Sequence, residues 1–128
     1  MSYLFVILWM LFFHIVADYN LQGWLATAKQ KSWWENHEEC RHCMWKYKHD
    51  YIMALIMHSI SWTFMVMLPI AYVNNFTVDW LFAIAFVVNV VTHAVIDHAK
   101  ANVKKINLVE DQILHLIQIS FTSWLLFV

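Results

Sequence analysis

The sequence predicts an all-α integral membrane protein, a four-helix bundle with both termini outside (N-out/C-out). Three observations predict it. Four apolar segments, at about 2–23, 51–72, 78–99 and 108–128, each have the ~20 residues a helix needs to cross ~30 Å of hydrocarbon. The 128 residues are 62% hydrophobic and 13% charged, with one Gly and one Pro; soluble domains carry roughly twice that charge and more turn residues. All eight Lys and Arg fall in the first and third connections. The positive-inside rule therefore places those connections in the cytoplasm, and the location expected is the inner (cytoplasmic) membrane.

The elements follow in order. Segment 2–23 lacks a basic n-region and a cleavage site, so it is expected to be retained rather than removed as a signal peptide. The connection 29–50 mixes Trp, Lys, Glu and His, which suits a cytoplasmic interfacial segment with a short helix. Trp24, Trp33, Trp34 and Trp45 fit that interface, and Tyr72, Trp80 and Trp124 the opposite one. With no repeat or second apolar core, residues 1–128 read as a single transmembrane domain. The net charge of −1 points to no nucleic-acid partner; the expected partners are the lipid bilayer and an anionic or lipid-like substrate. Homo-oligomerisation is left open, since no small-xxx-small stripe is present.

Polar residues inside these segments carry the chemistry. His14 and Asp18 lie four apart in the first; Asn89, His93 and Asp97 are each four apart in the third; Asp111 and His115 are four apart in the fourth; the second carries His58. Residues four apart share a helix face. The order reverses between the inward and outward segments. Four His therefore share one depth, ~10 Å from the basic side at 1.5 Å per residue, and three Asp lie one turn nearer the cytoplasm.

Imidazoles and carboxylates together ligate divalent ions. The expected metal set is His14, Asp18, His58, His93, Asp97, Asp111 and His115, holding one or two ions. Zinc is the first choice; manganese and iron are alternatives. Asp18 and Asp97 are candidate general bases, and Lys100, on the face of Asp97, a candidate for steadying an anion. Gln22, Lys31, Asn89, His98 and Gln112 are candidates for orienting ligands or touching substrate; His98 is about 140° round the helix from His93. Lys29, Lys104 and Lys105 read as charges that set topology. Cys40 and Cys43, with His37, His42 and His49 nearby, offer a weak second zinc site. The plain alternative is interhelical His–Asp hydrogen bonding that holds the bundle together.

The motifs "HIVADYNLQ", "HAVIDHAK" and "EDQILHLIQ" resemble the H-x3-D-x3-Q, H-x3-D-x2-K and D-Q-x2-H pattern of a family of small bacterial and phage membrane proteins of unknown function. The resemblance implies a shared polar set that includes His58, Lys100 and Gln112. In that family an acidic residue often follows the third-segment Asp, where this chain has His98. A looser similarity links it to membrane-bound metal-dependent hydrolases. The functional expectation is a membrane-embedded, metal-dependent hydrolase of an ester or phosphoester at the cytoplasmic leaflet. A metal-ion or proton transporter is an alternative, weakened because the outer halves of the segments offer no obvious polar continuation. A membrane interaction protein with a structural metal, such as a phage factor, is another.

Overall fold

The computed structural model describes residues 2–37 and 44–127, and among these every regular element is helical. The first long helix is α1 (Tyr3–Ile15), which continues without a break as a π-helical segment, Val16–Leu21. Three short helices follow: α2 (Leu25–Ala28), α3 (Lys31–Asn36) and α4 (Met44–Tyr47). The remaining long helices are α5 (Asp50–Val73), α6 (Trp80–Ala101) and α7 (Leu108–Phe127).

Local sequence explains where these elements start and stop. Ser2 and Asp79 cap α1 and α6, accepting from the Phe5 and Phe82 amides at 3.4 and 2.7 Å. Asn107 and Glu110 form a reciprocal capping box at α7. The Asn107 side chain accepts from the Val109 and Glu110 amides, and Glu110 Oε2 accepts from the Asn107 amide at 2.8 Å. The single glycine, Gly23, takes φ +46° just past the π segment, where the chain leaves the helix in a left-handed conformation that side chains disfavour. Pro69 lies inside α5, one turn from its end, where it cannot donate the i→i−4 bond to the Met65 carbonyl.

Three helical stretches, Tyr3–Leu21, Trp45–Val73 and Trp80–Ala101, are long and apolar enough to cross a membrane. α7 is as long, but Glu110, Asp111, Gln112, His115 and Gln118 lower its hydropathy, so the fourth expected span is not apolar enough on the same terms. α1 packs on α5 and α7, and α6 packs on the same two helices, so α1 and α6 face each other across the diagonal.

The interior inverts the pattern of a soluble protein. Val6, Met10, Trp62, Val66, Ile70 and Ile119 form an apolar cluster, yet His14, Asp18, His58, Asn89, His93, Asp97, Asp111 and His115 are buried as well. The exposed surface carries Leu4, Leu8, Phe12, Val87, Val91, Val95, Leu116 and Ile117. Polar inside and apolar outside is consistent with a protein whose solvent is lipid.

Trp62 is the largest fully buried side chain. Trp62→Ala is expected to cost about 3–5 kcal/mol of stability, whereas Val91→Ala, on the exposed face of α6, is expected to change it by less than about 0.5 kcal/mol. Denaturant unfolding of the detergent-solubilised variants checks this; equal losses would contradict the packing described.

Candidate metal centre

The centre lies where α1, α5, α6 and α7 converge. α5 supplies His58, α6 supplies His93 and Asp97 one turn apart, and α7 supplies Asp111 and His115 one turn apart. Asp18 comes from the π-helical segment. The extra residue in a π turn alters the helical register, and here Ala17 and Asp18 are both buried while Tyr19 faces outward.

Two sets of three donors have the spacing to hold an ion: Asp18, His58 and His93, and then His93, Asp97 and His115, all of them buried. In the first set His58 Nε2 is 3.2 Å from His93 Nε2 and 3.3 Å from Asp18 Oδ1. His58 Nε2 also lies 3.4 Å from Asp97 Oδ2, and His93 Nε2 lies 3.9 and 3.8 Å from Asp18 and Asp97. In the second set His115 Nε2 is 3.6 Å from Asp97 Oδ1, and it is also 3.5 Å from Asp111 Oδ1. Bonds of ~2.0–2.1 Å to a tetrahedral ion separate its ligand atoms by roughly 3.3 Å, so most of these gaps match a coordination shell. Sharing of His93 ties the two sets into one centre.

The hydrogen-bond inventory points the same way. Asp18 Oδ1, Asp111 Oδ1 and His115 Nε2 are buried without a hydrogen-bond partner. Buried polar atoms are ordinarily paired, and a cation would engage these donors. The rings are also held in place: Trp62 stacks on His93 with centroids 4.1 Å apart, and His93 stacks on His115 at 4.3 Å.

Several expected ligands have other roles. His14 is buried beside the centre, but Trp62 Nε1–H donates to its Nδ1 at 2.9 Å, and its Nε2 is 3.0 Å from Gln112 Oε1. Both nitrogens are engaged by protein groups. The Trp donor fixes Nδ1 as the acceptor, so Nε2 carries the proton. Asp111 is held through Oδ2 by Lys100 Nζ at 2.6 Å and Gln112 Nε2 at 3.0 Å, and only its Oδ1, beside His115, is left to face an ion. Gln112 thus orients both His14 and Asp111. Gln22 is half-buried with its Oε1 unpartnered.

Asn89 belongs to a deeper network. It donates to Thr122 Oγ1 at 2.9 Å and accepts from Gln118 Nε2 at 2.8 Å. His98 lies at the end of α6, stacked on Tyr51 and 3.3 Å from Asn102. Lys31 is not brought to the centre: its ammonium pairs with Glu35 at 3.4 Å on the surface. Cys40 and Cys43, and the zinc site suggested there, lie outside the described residues.

Lys29 is the residue that sequence reasoning passed over. Its ammonium reaches Asp97 Oδ2 at 2.5 Å and is largely buried. The short α2–α3 connection holds it there. Asn102, capping α6, donates to the Lys29 carbonyl at 3.0 Å and accepts from the Lys31 amide at 2.6 Å. Trp62 was missed as well, because a Trp in an apolar segment reads as packing.

The chain matches no protein-family model, no curated protein and no solved structure. The resemblance described above therefore rests on its spaced motifs alone.

Two binding experiments follow, with Zn²⁺ as the probe. His93→Ala, which breaks both donor sets, is expected to abolish high-affinity binding, whereas His14→Gln is expected to weaken it by about 10–100-fold at most, as for a group that only orients ligands. Equal losses would contradict the assignment. Lys29→Met leaves Asp97 buried and unpaired, so the ion-free protein should lose about 3–5 kcal/mol. Added Zn²⁺ should then restore more stability to the variant than it adds to the wild type; thermal unfolding with and without the ion measures both.

Proposed function

We propose that this chain is a membrane-embedded, metal-dependent hydrolase that cleaves an ester or phosphoester at the cytoplasmic leaflet, with zinc as the first candidate ion. The observation that carries the reading is the donor count. Structural zinc sites are closed by four protein ligands, whereas catalytic sites use three and keep a position for water or substrate. Both sets found here have three donors, two imidazoles and one carboxylate.

A divalent ion bound there supplies Lewis acidity and lowers the pKa of water towards ~7. Asp97, a donor of the second set, or Asp18, a donor of the first, would take the proton as general base through the carboxylate oxygen that the ion does not use. Lys29 and Lys100, which neutralise Asp97 and Asp111 in this structure, are the cations nearest to an anionic substrate. A lipid headgroup or lipid-linked phosphate suits a centre placed about a third of the way into the bilayer.

In this reading α7 is the fourth span. Its polar residues Asp111, His115, Gln118, Thr122 and Ser123 are buried, while Val109, Ile113, Leu116, Ile117 and Phe121 are exposed. Hydrocarbon would therefore meet an apolar face despite the modest hydropathy. Residues 29–50 and 100–105 are then cytoplasmic and both termini outside, a placement supported by the positions of the eight basic residues.

One observation favours ion or proton transport as a second reading. Buried polar groups continue past the imidazoles towards the outer side: Asn89, Gln118, Thr122 and then Ser123, which pairs with the Tyr3 hydroxyl at 3.2 Å. The outer half is therefore not as apolar inside as the sequence suggests.

Purified, ion-loaded protein is expected to release headgroup or phosphate from a lipid phosphoester in a chelator-sensitive way. Asp97→Asn should be slower by about 10²–10⁴-fold, and His93→Ala inactive. Ion-loaded protein that cleaves no lipid, lipid-linked or nucleotide phosphoester, yet carries Zn²⁺ or protons across liposomes, would replace this reading with the second. Orientation is tested by impermeant maleimide on cells, with Cys40 and Cys43 first replaced by Ser. Asn75→Cys should label from outside and Lys104→Cys should not; the reverse would invert the topology.

A further inference from the structure

A second site lies away from the metal centre, at the end of the bundle that carries the basic residues. A pocket of about 200 Å³ is enclosed by α3, α4 and the first turn of α5. Its walls combine three chemistries. Trp34 and Tyr47 offer near-parallel rings, 5.9 Å apart at 17°, and Trp45 stands beside them, highly exposed. Lys31 and Lys48 supply two ammonium groups, and Glu35 supplies a carboxylate. The Trp34 ring is fixed by its Nε1–H bond to the Ala28 carbonyl at 2.7 Å.

We propose that this pocket binds the headgroup of a zwitterionic phospholipid, a phosphate ester of an amino alcohol. The argument starts from position. The membrane-capable stretch Trp45–Val73 begins at the pocket, so the pocket sits in the headgroup layer that flanks the ~30 Å hydrocarbon, and lipid headgroups are the ligands it meets.

Charge then selects among them. A phosphate suits Lys31 and Lys48, and an ammonium suits Glu35 and the faces of Trp34, Trp45 and Tyr47. Lys46 already lies 5.8 Å from the Tyr47 ring centroid, so that ring attracts cations. An anionic lipid without an amine would leave Glu35 facing like charge, and a simple cation would leave the lysines unanswered. The Lys31–Glu35 pair is exposed and 3.4 Å long; pairs of this kind are weak and can exchange for the two ends of a dipolar headgroup. This inference stands apart from the hydrolase reading, since it uses none of the centre's residues.

The test uses the full chain in detergent, presented with equal amounts of phosphatidylethanolamine, phosphatidylcholine and phosphatidylglycerol bearing identical acyl chains. Retained lipid is read by native mass spectrometry. The two zwitterionic lipids should be retained over phosphatidylglycerol by roughly threefold to tenfold. Preference for the ethanolamine form would mark Glu35 as the dominant contact, and preference for the choline form the aromatic faces. Glu35→Gln, at an exposed position, should erase the preference while leaving metal content unchanged, and Lys48→Gln should lower retention of all three. Phosphatidylglycerol retained best, as simple attraction to a basic surface would give, would overturn the proposal. So would a Glu35→Gln variant with an unaltered lipid ratio. Neither result depends on whether any lipid is hydrolysed.

Discussion

A carboxylate taken out of water into an apolar bundle must meet compensating charge or hydrogen bonds, because the desolvation it suffers is several kcal/mol or more. Three carboxylates, Asp18, Asp97 and Asp111, are buried in this protein, and the rest of the interior is organised around them. Two are met by lysines that reach in from the end of the bundle, Lys29 to Asp97 and Lys100 to Asp111. Asp18 has no lysine; its neighbours are the imidazoles of His14, His58 and His93. That imbalance is the physical reason for placing a cation among these side chains.

Satisfying this requirement shapes the fold at several levels. The π turn in the first helix accompanies the burial of Asp18. The α2–α3 connection, clamped by Asn102 on both sides of Gln30, carries Lys29 into contact with Asp97. Trp62 fills the middle of the bundle, stacks on His93 and donates to His14. It thereby joins the apolar cluster to the polar one. Loss of any of these would leave charge buried without a partner, an expensive fault in a medium that offers no water.

Much of this was legible in the sequence because helical geometry is regular. The i, i+4 spacing of His93 with Asp97, and of Asp111 with His115, places each pair on one face, and reversal of order between antiparallel helices matches their depths. His58, alone in its segment, fell into place by depth. What was not legible depended on irregular backbone or on tertiary hydrogen bonds. Nothing in "HIVADYN" signals a π turn. Lys29 and Lys31 are two residues apart in a short connection, and only the Asn102 clamp decides which one turns inward. His14 has the spacing of a ligand, yet Trp62 and Gln112 use both of its nitrogens. The fourth helix was legible as a helix, while its modest hydropathy hides an outer face that is apolar.

The account stands on the imidazoles of His58, His93 and His115 and the carboxylates of Asp18 and Asp97 holding an ion in sets of three donors. X-ray absorption spectroscopy at the zinc edge of the purified, zinc-loaded protein tests this most directly. The account predicts a shell of nitrogen and oxygen at ~2.0–2.1 Å, with the outer-shell scattering of two or three imidazoles and no sulfur. A shell with sulfur at ~2.3 Å would move the ion to Cys40 and Cys43, and protein that retains no ion would leave the buried carboxylates to the lysines and hydrogen bonds alone; either result would contradict it.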